Sequence, residues 1–487
     1  MKPNDDTENM LRLLYNKASG GYNCHTITKL SAAGSNRKYY RLSGNDASSH
    51  SMIGTVGTNL RENRAFTYLS HKLGCDYGLN VPQVYAETNG MYLQQDLGDT
   101  SLFDLISQKD ENGDITQQTK QLVRDTIRML PDFQWRPVKS VNWEMCYPVG
   151  KFDIQSIMWD LNYFKYCFLK TVGLEFDESR LEADMTALAS AILSIQPQTL
   201  VLRDFQSRNI MIYSGRPYVI DFQGARLGPC QYDLVSFLWQ IRAGFSDSLK
   251  AEMIDEYLHA ASYYTNIDRA AFMAGLNIIV LFRTLQVLGA YGFRGLVENK
   301  PHFMKSLLPA VKQLDAIVNK EFMERFPYLR HILRHVPGLP LFTNKKPESN
   351  RLVITVNSFG FRKSGIPKDL SGNGGGFVFD CRALPNPGRL AEFASSTGMD
   401  LSVAQYLEQY DDVLLFLNNI FNIIDMSVNR YLQRNFTDLT ISFGCTGGQH
   451  RSVYCAERTA QHIHKKFGVE VFINHTEQHV TKLLSDK

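Results

Sequence analysis

The chain has 487 residues, 44% of them hydrophobic and 21% charged, with 52 Lys and Arg against 49 Asp and Glu. That composition excludes wholesale disorder and leaves room for two or three domains. A net charge of +3 gives no electrostatic case for nucleic acid or a membrane surface.

The first residues, Met1-Lys-Pro-Asn-Asp-Asp-Thr-Glu8, lack the apolar run of a secretory signal. Eight cysteines lie scattered without CxxC pairs, as expected for reduced thiols in a cytoplasmic protein. The most apolar stretch, around Leu276 to Leu288, is interrupted by Arg283 and reads as too short to cross a bilayer.

Along the chain, Lys38-Tyr-Tyr-Arg-Leu42 and Ser51-Met-Ile-Gly-Thr-Val56 flank a Gly/Asn/Asp/Ser turn, which predicts two strands within a strand-rich first hundred residues. A helix over about 62–73 and short strands at Val84-Tyr85 and Met91–Gln94 follow. From Ser101 to Arg334 the periodicity is helical, apart from a β-rich insert at Thr199–Arg203, Ile210–Tyr213 and Tyr218–Asp221. The clearest seam is Val336–Asn350, where three prolines and a glycine accompany a polar run. Beyond it, apolar runs at Leu352–Asn357, Phe377–Arg382, Leu439–Gly444 and Val469–Asn474 are separated by helix-length segments, notably Val403–Asn435 and Ser452–Phe467. That alternation predicts an α/β domain with a largely parallel sheet.

Leu202-Arg-Asp-Phe-Gln-Ser-Arg-Asn209, followed by Tyr218-Val-Ile-Asp-Phe-Gln223, sets an Asp five residues before an Asn, then a hairpin, then an Asp ending an apolar strand. Phosphoryl transfer needs such a set. Asp204 can accept the proton of an attacking hydroxyl, while Asn209 and Asp221 offer oxygen ligands to Mg²⁺ bridging the phosphates of ATP. Singly, these residues read equally well as a turn residue, a loop amide and a strand-end cap. Their joint spacing carries the reading. No G-x-x-x-x-G-K-[ST] occurs in the chain.

Together with Ile220–Pro229, Tyr232-Asp233-Leu234 and Arg283–Gly289, these segments resemble the aminoglycoside phosphotransferase-type kinase family. Within it they are most similar to the bacterial N-acetylmuramate and N-acetylglucosamine kinases. The resemblance spans residues 1–335. It implies an α+β two-lobed protein-kinase-like fold, with an N-lobe over 1–99 and a helical C-lobe over 100–335 that carries the catalytic loop. It also implies ATP between the lobes, a small-molecule sugar as acceptor, Asp204 as catalytic base, and Asn209 and Asp221 as Mg²⁺ ligands. Asp233 would hold the catalytic loop by hydrogen bonds.

Two departures stand out. Leu202 occupies the position of the family's usual His, and Ser51–Val56, where an ATP-binding lysine is expected, has none. Phosphate contacts are then expected from the turn Gly34-Ser-Asn-Arg-Lys38, through Ser35, Asn36 and Arg37. Glu62 sits where the family's helix glutamate would lie, without its lysine. Gln94 and Gln95 open a stretch, Gln94–Asp99, that resembles the hinge meeting adenine.

In the last third, Leu439–Val453 runs from a buried strand through a Gly-containing loop into a helix beginning near Ser452. Loop N–H groups and the helix dipole then converge on an anion site, to which His450 and Arg451 add donors. Asp380, Arg382 and Asn386 follow another strand on the same sheet edge. Ser358–Phe361, Gly365–Pro367, Phe377–Pro387 and Gly444–Val453 resemble the C-terminal domain of the RapZ family of RNase adapter proteins, over nearly all of 351–487, with 336–350 as linker. That resemblance implies binding of an amino-sugar phosphate such as glucosamine-6-phosphate through Asp380, Arg382, Asn386, Cys445, Thr446, Gly447, Gly448, Gln449, His450, Arg451 and Ser452.

The RapZ family's own nucleotide-binding domain is replaced here by the kinase-like part. Residues 351–487 hold 14 Lys and Arg against 13 Asp and Glu, so no basic groove for RNA is expected. Two further readings stand beside these. Cys445 to Arg451 has the C-x5-R spacing of cysteine phosphatases, and the absent lysine suits a non-catalytic pseudokinase joined to a metabolite-sensing adapter. His475 and His479, four apart, read as the exposed face of a terminal helix. The most economical reading is an ATP- and Mg²⁺-dependent amino-sugar kinase fused to a sugar-phosphate-binding domain, with no signal for an oligomeric state.

Overall fold

The computed structural model describes residues 3–20, 22–30, 37–44, 51–88, 90–110, 113–298, 300–343, 352–369 and 375–484. The chain divides into two compact units, Met1–Leu339 and Pro340–Lys487.

The first unit opens with a helix, α1 (Pro3–Ala18), which the strand reading of the first hundred residues passes over. Its sparse apolar stripe is easily missed: Leu11, Leu14, Tyr15 and Ala18 recur at helical spacing among polar residues. They pack on one face of a five-stranded antiparallel sheet, against Tyr40, Leu42, Met52, Met91 and Leu93. The sheet runs β1 (Thr26–Leu30), β2 (Lys38–Ser43), β3 (Met52–Val56), β4 (Val84–Thr88) and β5 (Met91–Gln95), in the spatial order β1-β2-β3-β5-β4.

Its other face meets α2 (Leu60–Ser70), whose N-terminus is capped by Asn59 accepting the Glu62 N–H. Tyr92 of β5, Phe66 of α2 and Phe222 stack in series, 4.9 Å between centroids at each step. This stack ties sheet, helix and the Asp221 segment into one packing unit.

The rest of the unit is chiefly helical: α3 (Leu102–Ser107), α4 (Gln117–Trp135), α5 (Ile154–Phe164), α6 (Glu178–Leu193), α7 (Gln231–Leu238), α8 (Asp247–Ala261), α9 (Arg269–Tyr291), α10 (Pro301–Val318) and α11 (Pro327–His335). Between α6 and α7 lie the pair β6 (Gln198–Val201) with β9 (Arg226–Pro229) and the hairpin β7 (Ile210–Tyr213)–β8 (Arg216–Val219). Arg203 and Asp221, expected inside strands, fall outside them with φ of 71° and 63°.

The apolar segment around Leu276 is longer than its composition suggested. Arg269–Val297 forms 29 helical residues, enough by length and composition to cross a membrane, and 67% of its most apolar window is buried inside the protein. Arg283 does not interrupt it, because its Nη1 donates to Tyr232 Oη at 3.0 Å and Gln286 Oε1 at 2.9 Å.

The second unit begins with α12 (Pro340–Thr343) and holds a sheet of β10 (Val353–Gly360), β11 (Phe377–Asp380), β12 (Asp438–Cys445), β13 (Glu470–His475) and β14 (Val480–Leu484), ordered β11-β12-β10-β13-β14. The first four strands run parallel and β14 is antiparallel. The helical stretch expected over 403–435 is two helices, α13 (Leu401–Glu408) and α14 (Asp411–Gln433). They join α15 (Arg451–Phe467) over a core that includes Ile354, Val356, Ile441, Phe443, Val471 and Ile473. The terminal segment is a strand, not the helix expected from His475 and His479. His479 turns the chain with a left-handed φ of 55°, and β-branched Val480 and Thr481 pair with His475 and Asn474.

Candidate functional sites

The catalytic-type loop hangs from a buried carboxylate. Asp233 on α7 accepts the backbone N–H groups of Leu202 at 2.7 Å and Arg203 at 2.9 Å, from a position with no exposed surface. Burial pushes its carboxyl up to about 7, against the pull of those donors and of Arg283. The brace holds Arg203 in its left-handed conformation, a strained state for a residue with a Cβ. Leu202, where the family's His would stand, is a core residue at 1% exposure.

Past this point Asp204 is half-buried. Among the described residues its carboxylate receives no hydrogen bond or ion pair. Asn209 Nδ2 donates to the Asp204 carbonyl at 2.8 Å and lies 3.4 Å from Asp221 Oδ2, while Gln223 Nε2 donates to Asp221 Oδ1 at 2.8 Å. The three residues read from spacing are therefore neighbours. Burial, and then the charge of Asp204, push the Asp221 carboxyl up. A divalent cation would relieve that crowding, and the donor set of one carboxylate, one amide and phosphate oxygens suits Mg²⁺. Among the described residues no group of three or more His, Cys, Asp or Glu side chains is arranged to hold a metal without such help.

Beside the loop lies a polar network that sequence spacing did not reveal. Arg203 Nη2 meets Asp160 of α5 at 3.2 Å, and Gln286 of α9 donates to the same carboxylate at 2.5 Å. Arg226, 1% exposed, lies over the Phe152 ring with its centre 5.1 Å from the centroid. Burial, reinforced by Arg203, pulls its pKa down to about 10. The motif segments Leu202–Asn209, Ile220–Pro229 and Arg283–Gly289 contain Arg203, Arg226 and Gln286, but not Asp160, which joins them.

Of the residues expected to meet ATP, Ser35 and Asn36 lie outside the described residues. Arg37 is buried at 5% exposure, with Nη2 3.3 Å from Glu62 Oε1. Gln95 closes β5 with its N–H on the Gln83 carbonyl at 2.8 Å, and Gln94 is half-buried with Oε1 facing no partner among the described residues. The stretch after them is stapled by Arg41, which bonds Asp96 at 2.7 Å and Asp99 at 2.8 Å.

In the second unit the glycine loop follows β12 directly, and α15 starts at Arg451, one residue before the expected start. Gly448 has a φ of +69°, and a Cβ there would lie 2.7 Å from the Gly360 nitrogen, so only glycine fits. Cys445 Sγ sits under the loop at 3% exposure, accepting the Gly448 N–H at 3.2 Å and lying 3.1 Å from Ser452 Oγ. Thr446 is exposed and Gly447 half-buried, so these two form the accessible tip.

The next three side chains turn toward the 382–396 segment. Gln449 donates to the Ala394 and Ser396 carbonyls, His450 Nε2 contacts the Phe393 carbonyl at 2.9 Å, and Arg451 Nη1 donates to the Arg382 and Leu384 carbonyls at 2.9 and 3.1 Å. Arg451 thus anchors a turn through Nη1. Asp380 and Arg382 pair with each other at 2.6 Å on the same edge, ahead of the short turn that follows Asn386. Arg451→Ala is expected to destabilise the protein by about 2–3 kcal/mol, since two carbonyls lose a charged donor. Denaturant unfolding of the second unit reads this directly.

His475 is fully buried: Nδ1 contacts Ser358 Oγ at 2.8 Å and Nε2 contacts Glu457 at 2.9 Å. This corrects the exposed-face reading. His475 is in phase with Val471 and Ile473 on the buried face of β13, a sign that the helix reading of this segment hid.

Comparisons with known proteins assign the two parts of the chain to families. Residues 26–272 match the phosphotransferase enzyme family, and the chain belongs to it: the protein is a kinase-type phosphotransferase. Residues 352–479 match the RapZ C-terminal domain. A nucleotide-binding protein of Xylella fastidiosa (strain M12) is 29% identical over 228 residues, 46% of this chain and 74% of that one. A nucleotide-binding protein of Thermotoga neapolitana is 34% identical over 181 residues, 37% of this chain and 59% of that one. Among solved structures, choline kinase LicA from Streptococcus pneumoniae is 14% identical at a TM-score of 0.41, covering 63% of this chain and 99% of that one. The gentamicin–APH(2″)-IIa complex is 14% identical at 0.44, covering 66% and 97%.

Proposed function

We propose that the first unit transfers the γ-phosphoryl group of ATP, with Mg²⁺, to a hydroxyl of an amino sugar of the N-acetylmuramate or N-acetylglucosamine type. The observation that carries this reading is that Asn209 bridges the Asp204 backbone carbonyl and the Asp221 carboxylate in a loop region braced by Asp233. Asp204 would take the proton of the attacking hydroxyl. Asn209 and Asp221 would hold Mg²⁺, which supplies charge neutralisation across the phosphates when bound. Arg37, with Ser35 and Asn36, would face the phosphates, and the Gln94–Gln95 backbone would meet adenine. The intact acidic set favours an enzyme over a pseudokinase. ATP turnover measured across a panel of amino sugars and neutral hexoses tests the reading; it should be confined to the amino sugars, and turnover with none of them would reject the acceptor class.

We further propose that the second unit binds an amino-sugar phosphate such as glucosamine-6-phosphate at the Thr446–Gly447 tip, where the α15 N-terminus and loop N–H groups favour an anion. Asp380, Arg382 and Asn386 would line the approach, with Gln449, His450 and Arg451 fixing the rim and Cys445 and Ser452 supporting the loop from beneath. Cys445→Ser is expected to leave glucosamine-6-phosphate affinity nearly unchanged, because the N–H groups and helix dipole survive it. Calorimetry on the full chain, beside an aryl-phosphate hydrolysis assay, separates this from the phosphatase reading. Cys445-dependent hydrolysis without sugar-phosphate binding would favour the phosphatase.

A further inference from the structure

We propose that Arg37 and Glu62 form the ion pair that secures the nucleotide phosphates, with Glu62 a positioning residue acting through Arg37, in place of the lysine that β3 lacks. The inference rests on the ATP reading above and deepens it by naming how the phosphate-facing cation is supplied and held.

No residue of β3 is cationic. α1 presses on the outer sheet face, where a Cβ on Gly54 would lie 2.8 Å from Leu42 Cδ1 and 2.9 Å from Leu11 Cδ2. The inner positions of β3 are Ile53 and Thr55, both buried and neither cationic. On β2, alternation puts Tyr40 and Leu42 against α1, so Arg37, Tyr39 and Arg41 share the inner face. Arg41 is committed to Asp96 and Asp99.

Arg37 sits at the entry of that strand, buried to 5% exposure, 3.3 Å from Glu62 in the first turn of α2. Glu62 stands one turn ahead of Phe66 on α2, so the ion pair lies beside the aromatic stack that crosses that helix. Tyr92 is the first ring of the stack through Phe66 to Phe222, the residue next to Asp221. The Arg37–Glu62 pair thus sits on the same helix as Phe66, whose ring leads to the Asp221 segment. In protein kinases a β3 lysine joined to a helix glutamate fills this place. Here the same electrostatic connection is made from the neighbouring strand.

The experiment is calorimetric titration of the full chain with ATP and, separately, with adenosine. It compares the wild type, Arg37→Ala, Arg37→Lys, Glu62→Gln and the double variant Arg37→Ala/Glu62→Gln. Arg37→Ala should weaken ATP binding about 10- to 100-fold, the loss of a charge-assisted phosphate contact, and leave adenosine binding unchanged. Arg37→Lys should recover part of the ATP affinity, since it restores the charge without the guanidinium fork. Glu62→Gln should weaken ATP binding in the wild-type background and add nothing once Arg37 is gone, as expected of a residue acting through another.

Equal losses for ATP and adenosine, or additive effects of the two changes, would overturn the pair. ATP binding indifferent to Arg37 would sink this inference and leave the kinase reading standing. A wild-type chain that binds neither ligand would sink the nucleotide site and the pair together.

Discussion

Asp204→Asn is expected to lower sugar-dependent ATP turnover by about 10²- to 10⁴-fold while leaving ATP binding largely intact. The substitution is nearly isosteric, and the loop is held elsewhere. The Leu202 and Arg203 N–H groups rest on Asp233, and the Asp204 backbone carbonyl, not its side chain, receives the Asn209 amide. What disappears is a half-buried carboxylate that no described residue engages, the group proposed to take the acceptor's proton. The change also removes the charge that helps push the Asp221 carboxyl up, so Mg²⁺·ATP affinity should not fall. Coupled turnover assays beside calorimetry check both parts. Turnover close to wild type would remove Asp204 from its proposed role.

The second large effect is expected at Asp221. Asp221→Asn should abolish the Mg²⁺ dependence of ATP binding and weaken Mg²⁺·ATP affinity on the order of 100-fold, because the main charged ligand proposed for the ion is lost. Asn is the cleaner replacement than Ala. Position 221 has a φ of 63°, which Asn tolerates and Ala does not, so a loss seen with Asn is not a backbone effect. Titrations of ATP at several Mg²⁺ concentrations provide the measurement. An affinity that still rises with Mg²⁺ as in the wild type would overturn the metal site, and with it much of the mechanism.

How far these sites were legible depended on the distance over which each is assembled. Asp204, Asn209 and Asp221 lie on one loop and one hairpin, so their spacing alone places them together, and the contacts between them span only 5 and 12 residues. The glycine loop before α15 is equally local: strand, turn and helix follow directly in the chain, and Gly448 declares its own backbone requirement. The parallel sheet of the second unit was also readable, because both-sided burial leaves continuous apolar runs.

Side-chain commitments between distant segments were not readable. Periodicity tells which face a residue occupies and nothing of what arrives opposite it. Asp160 is joined to Gln286 across 126 residues, Arg451 to the Leu384 carbonyl across 67, and His475 to Ser358 across 117. The fold turns Nη1 of Arg451 to two carbonyls, a commitment that motif spacing does not show. A strand-end histidine looks exposed until a serine and a glutamate close on it.

From its sequence alone this protein is a phosphotransferase with a catalytic-type triad in fixed order, joined to a glycine-loop domain, since both motifs are made by neighbours in the chain. Tertiary structure alone decides what Arg37 meets. Glu62 of α2, 3.3 Å from Arg37, comes to it only when that helix packs on the sheet, which no local spacing in the chain announces.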